Sequence, residues 1–124
     1  MEVTPVIAVG RQQIQAYREG GFTVAGTAHE GSLLVMPERT LPWRVTTLAA
    51  VTLDSMAPIT EAEPAVELLI LGCGREFAPA PPSLREALRA HGIVIEAMAT
   101  PAACRTYNVL LAEDRRVAAA LIAV

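Results

Sequence analysis

There is no lysine in this chain; all 10 of its basic side chains are arginines. A Schiff-base amine and the lysine of a phosphate-binding loop are therefore excluded together. Positive charge is scarce overall, with a formal net charge of −3 and a pI near 5.3. A nucleic-acid module carries a basic stripe and a high pI, so nucleic acid is not expected as a partner. Cysteine is limited to Cys73 and Cys104. Two thiols are too few for a disulfide framework. With no Cys-x-x-Cys pair and only His29 and His91, far apart, no zinc site is indicated; neither a metal nor a cofactor is expected. Long apolar runs are also missing. The stretch Val117–Val124 is far short of the ~20 residues of a membrane helix. Met1-Glu2-Val3-Thr4-Pro5 lacks the basic start and apolar run of a leader, so a cytoplasmic protein is expected.

What is present is an alanine-rich apolar composition. Hydrophobic residues make up 52% of the 124 residues, and the mean hydropathy is +0.38. That length suits one domain over 1–124 with its own core. So much apolar surface on a small chain predicts contact with a protein partner or a second copy; a bias toward alanine accounts for it equally well.

The first half reads as short strands. Gln12–Arg18 alternates polar and apolar residues, Gly20-Gly21 marks a turn, and Phe22–Gly26 returns as the second arm of a hairpin. Gly31 precedes an apolar strand, Ser32–Met36, which Pro37 ends. Leu41–Val45 is extended around Pro42. Thr52 is placed to cap a short helical turn through Met56 that Pro58 keeps short.

The second half alternates strand and helix. Val66–Leu71 is nearly continuous in apolar residues, as a strand buried on both faces is, and it runs into Gly72-Cys73-Gly74. Ser83 and Glu86 have the spacing of a capping box before a helix that ends at Gly92. Ile93–Ala97 is the next strand. Thr100 as N-cap and Pro101 as first helical residue open a helix to about Ala112. After the turn Glu113–Arg115, Arg116–Ile122 is the last strand, and its apolar edge invites a second copy. The class is α/β: a three-layer arrangement with a mixed sheet, in which a β-rich N-terminal half is followed by β-α-β-α-β. Single-helix crossovers join parallel strands.

Parallel strands place Gly72-Cys73-Gly74 and Met98-Ala99-Thr100 on one sheet edge, where ligands of open α/β sheets bind. The helix that starts there points free N–H groups and its positive end toward that edge, with Arg105 one turn in. The place suits a small anion or carboxylate. The structural alternative is that the glycines only turn the chain and Thr100 only caps. The glycine turn is not a dinucleotide fingerprint, because Phe77 stands where the third glycine belongs. Cys104 in a first helical turn would have a lowered thiol pKa, and with Cys73 nearby it suggests a redox pair; small buried cysteines are the ordinary alternative. His29 near a hairpin turn, His91 at a helix end and Trp43 in the core all have structural roles. No Ser/His/Asp set can be assembled, so the reading favours a protein that is not an enzyme.

The run Thr100–Leu111, with Glu113–Leu121, Leu71-Gly72-Cys73-Gly74, Gly92-Ile93 and Gly31-Ser32 through Trp43, resembles a family of small uncharacterised prokaryotic α/β proteins. The same domain occurs in the third assembly factor of mitochondrial respiratory complex I and in the adipogenesis-associated domain proteins. The resemblance covers Ile14 to about Ile122 and implies a three-layer α/β fold. It implies an assembly role more than a reaction. Gly72, Gly74, Thr100, Cys104, Thr106 and Asn108 match the shared motif, whereas Cys73 departs from the residue usual between the glycines, often threonine. The candidate ligand-binding set is then Gly72, Cys73, Gly74, Thr100, Cys104, Arg105 and Thr106. Two functions follow. One is a non-catalytic interaction or assembly-factor-like module, linked to a membrane-associated respiratory complex. The other is a small-anion-binding protein or enzyme at the carboxyl ends of the parallel strands. A thiol switch is a third.

Overall fold

A computed structural model describes residues 10–124. The reading of Met1–Pro5 lies outside the described residues. The described residues form two sheets. Strands β1 (Ile14–Arg18), β2 (Gly21–Val24) and β3 (Thr27–Glu30) make a three-stranded antiparallel sheet. Strands β4 (Ser32–Val35), β5 (Thr40–Trp43), β6 (Leu68–Gly72), β7 (Val94–Met98) and β8 (Val117–Leu121) make a mixed sheet in the order β5-β4-β8-β6-β7. β6 is parallel to both β7 and β8, while β4 is antiparallel to β5 and β8.

Period-two alternation builds the layers. In β8, Val117, Ala119 and Leu121 face one core, while Ala118, Ala120 and the following Ile122 face the other. Leu33 and Val35 against Leu34 and Met36 repeat the pattern in β4. On the first face lie helix α3 (Thr100–Ala112) and the inner side of the small sheet, through Ile14, Phe22, Val24, Cys104, Tyr107 and Leu111. On the second lie the short helix α1 (Ala57–Thr60), helix α2 (Pro82–Ala90) and the segment before α1, through Val51, Met56, Ile59, Leu84 and Leu88. Each fully buried Leu or Ile contributes roughly 1.5–3 kcal/mol. Trp43 is buried too, and its Nε1 donates to the Ser55 carbonyl at 3.0 Å.

Four local readings differ from the structure. Residues Thr27–Glu30 form a strand that carries no apolar alternation, because it is largely exposed; His29 sits mid-strand opposite Phe22. Ser83 does not cap α2: Pro81 is the N-cap, Pro82 starts the helix, and no side chain caps it. Pro58 does not end a turn but lies in the first turn of α1, where proline fits. Most consequential, the last strand is not an edge. β8 lies between β4 and β6 and every residue in it is buried. Its run of apolar residues reflects coverage on both faces, so it offers no edge to a second copy.

Candidate functional site

The two crossovers do bring the glycine bend and the start of α3 together. Cys73 N–H donates to the Met98 carbonyl at 2.8 Å, and Thr100 N–H donates to the Gly74 carbonyl at 2.8 Å. Gly74 needs glycine for its backbone, with φ at +105°. Gly72 needs it for space. A Cβ there would meet Thr100 Oγ1 at 2.9 Å and the Thr100 Cα at 3.1 Å.

Thr100 is not the N-cap. Ala99 holds that place and Thr100 is the first helical residue, with Pro101 next. Its hydroxyl is thereby free to bond across the chain rather than along it. Oγ1 accepts from Gly74 N–H at 2.9 Å and donates to the Ile122 carbonyl at 2.7 Å. Ile122 N–H in turn donates to the Gly72 carbonyl at 3.0 Å. One fully buried hydroxyl thus ties together the ends of β6, α3 and β8. The first turn of α3 has few donors left for an anion. Thr100 N–H is taken, Pro101 has none, and Ala103 N–H bonds to the Ala99 carbonyl at 2.9 Å. The strand ends are packed and bonded, as a structural joint is.

The other predicted residues lie elsewhere. Cys104 and Arg105 lie one turn further along α3 and line a cleft of about 330 Å³ between α3 and β1, which is also lined by Ile14, Gln15, Ala16, Tyr17 and Asn108. Cys104 is a buried floor of that cleft, and Arg105 is exposed at its rim. Burial pushes the Cys104 thiol up to about 12, outweighing the lowering by the Arg105 charge. The thiol is a protonated core group, not an activated one. Cys73 and Cys104 are both free, and the Cys73 thiol donates to the Ala78 carbonyl at 3.1 Å. Thr106, half-buried, does not line the cleft.

Asn108 creates the cleft. Its side-chain amide accepts from Ile14 N–H at 2.9 Å and donates to the Ile14 carbonyl at 2.7 Å, as a neighbouring strand residue would. This pins β1 to α3 at a single position. The candidate set omitted the β1 residues of the cleft. They lie some 90 positions from α3, and no local pattern joins the two. The spacing Thr100, Cys104, Asn108, a residue at every fourth position, was the one available signal of a shared helix face.

Among the described residues no group of His, Cys, Asp and Glu side chains is arranged to hold a metal ion. Among them, too, no helix is long and apolar enough to cross a membrane.

A protein family of unknown function (DUF498/DUF598) matches residues 14–122. The chain belongs to that family. An uncharacterised protein of Rhodobacter capsulatus is 39% identical over 113 residues, covering 91% of this chain and 86% of that protein. NADH dehydrogenase (ubiquinone) 1 alpha subcomplex assembly factor 3 of mouse is 33% identical over 109 residues, covering 88% of this chain. The match takes in 59% of the mouse protein, so this chain corresponds to only part of it. A crystal structure described as an outer membrane protein from Bartonella henselae is 40% identical with a TM-score of 0.85, covering 94% of this chain and 98% of that one. A Bordetella pertussis protein described as a Mth938-like domain is 30% identical with a TM-score of 0.80, covering 98% and 91%. The fold of the DUF498/DUF598 chain is therefore the Mth938-like mixed α/β arrangement, and its relatives include assembly factors.

Proposed function

We propose that this chain is a non-catalytic interaction module of the assembly-factor kind, acting from the cytoplasm on a membrane-associated respiratory complex. One observation carries the reading away from catalysis. The strand ends, where an open α/β sheet would hold a ligand, are occupied by the Thr100 hydroxyl and its two buried bonds. Gly72, Gly74 and Thr100 then serve the framework, and the recognition surface lies elsewhere. The curated assembly factors that align with most of this chain support the biological direction. The test is deletion in the native host, followed by blue-native electrophoresis of the respiratory complexes. A fall in assembled complex, restored by the chain on a plasmid, is expected. Unchanged complex levels in the deletion strain would remove the assembly role.

A further inference from the structure

We infer that the cleft between β1 and α3 receives an extended, acidic peptide segment of a partner protein, which adds as a strand to the open edge of β1. The inference rests on the interaction-module reading and gives its partner a chemistry.

The edge comes first. Among the described residues β1 pairs only with β2, so its other side carries main-chain donors and acceptors with no described strand beside them. At Ile14 those groups are already bonded, by the amide of Asn108 acting as a substitute strand. From Gln15 to Tyr17 the same edge borders the cleft. The bulge between Ile14 and Ala16 sets Gln15 apart, and its side chain is drawn back over the sheet by Gly26 N–H at 2.6 Å.

The other strand edges among the described residues are guarded. β5 carries Pro42. β7 carries Glu96, and Arg85 Nη1 donates to its Ile95 carbonyl at 3.0 Å. β3 is polar and ends in Glu30, which pairs with Arg18. Charge, proline and side-chain bonding are the usual devices against unwanted strand pairing. Over Ile14–Tyr17, β1 carries neither charge nor proline, and its guards are the bulge after Ile14 and the Asn108 amide.

The charge fits such an occupant. A strand seated beside β1 would lie ~4.8 Å from it, with α3 forming the opposite wall, a strand-and-helix groove suited to strand addition. Ile14 and Cys104 give an apolar floor for one side chain of the incoming strand, and Tyr17, 45% exposed, gives a flat wall. Arg105 stands at the rim, and no carboxylate lines the cleft. Among the described residues Arg105 makes no ion pair. An acidic side chain of the incoming strand would supply one.

The probe is a phage-displayed pool of random nonapeptides, selected on the immobilised chain. The enriched sequence is then synthesised and titrated into 15N-labelled protein. Enriched peptides should combine β-branched residues with an acidic one, and should shift the amides of Ala16, Tyr17, Arg105 and Asn108. Arg105→Glu, a change at an exposed position that spares the core, should weaken binding roughly tenfold through like-charge contact. A peptide with lysine in place of its acid should regain affinity for that variant. Failure to enrich above an unrelated control protein, shifts confined to another face, or equal affinity for Arg105→Glu would each overturn the inference. So would tighter binding after removal of residues 1–9, which would assign the cleft to the chain's own N-terminal segment. The two readings fail separately. A chain that restores complex levels but selects no peptide loses only the cleft, and one that selects peptides without affecting the complex loses only the assembly role.

Discussion

Replacing Thr100 with valine tests whether the strand ends are a joint. The change keeps the shape and removes the hydroxyl. Gly74 N–H and the Ile122 carbonyl both lose their partner, at 2.9 and 2.7 Å, in a place where both residues are buried. A buried polar group left unpaired costs about 1–3 kcal/mol. Two of them, less about 1 kcal/mol for the added apolar methyl, give a net loss of about 1–5 kcal/mol. Against a total stability of ~5–15 kcal/mol that is a large fraction. With a urea m-value of ~2 kcal/mol/M the midpoint should drop by about 0.5–2.5 M. Thr100→Ser is the control: it keeps both bonds, drops one methyl and should cost about 1 kcal/mol. Equilibrium urea unfolding followed by far-UV circular dichroism reads all three proteins. A valine variant within about 0.5 kcal/mol of the parent, or a serine variant as weak as the valine one, would refute the reasoning.

Three further predictions follow the same physics. Asn108→Leu removes both bonds to Ile14; it should cost about 2–4 kcal/mol and speed hydrogen exchange at Ile14 well beyond that at Leu69, which exchange mass spectrometry or NMR resolves. Tyr107 is fully buried, and its hydroxyl has no hydrogen-bond partner among the described residues. Tyr107→Phe should therefore leave stability unchanged or raise it by up to about 1 kcal/mol, and a clear loss in thermal unfolding would show that the hydroxyl is bonded. Burial holds the Cys104 thiol protonated in the folded chain up to about 12, against an ordinary value of 9.0. Unfolding then releases a proton between those two values, so stability is intact below about pH 9 and falls as pH rises toward about 12. Cys104→Ala should remove that part of the alkaline slope, and alkylation at pH 8 followed by intact mass should label Cys73 ahead of Cys104.

The parallel part of the fold was legible because its signals are local. Leu68–Gly72 and Val117–Leu121 are apolar without interruption, which a strand covered on both faces requires. The glycine bend and the start of α3 were correctly placed on one edge by crossover topology alone. The role of Thr100 was legible as to place but not as to partner. Propensity favours threonine as a cap, yet the helix starts one residue earlier, and the hydroxyl turns to Gly74 and Ile122 instead. β3 was missed because Thr-Ala-His-Glu has no apolar face to betray it. The interior place of the last strand is not written in Val117–Leu121, because a continuous apolar run says only that a strand is covered, not by which neighbours. The β1/α3 cleft was out of reach for a related reason. It depends on one amide bonding 94 positions away, a contact with no periodicity.

The place of β8 has a consequence for how this domain comes into being. Among the described residues β4 and β5 on one side, and β6 and β7 on the other, share no ladder of their own; β8 alone bridges them, and of the eight described strands it is the last to be synthesised. Until Val117–Leu121 has been delivered, the β5-β4 and β6-β7 pairs lack the strand that joins them in the fold. The keystone arrives last, so the halves must wait, and a translation stall or cleavage ahead of Val117 would leave a product with an open seam rather than a smaller folded domain.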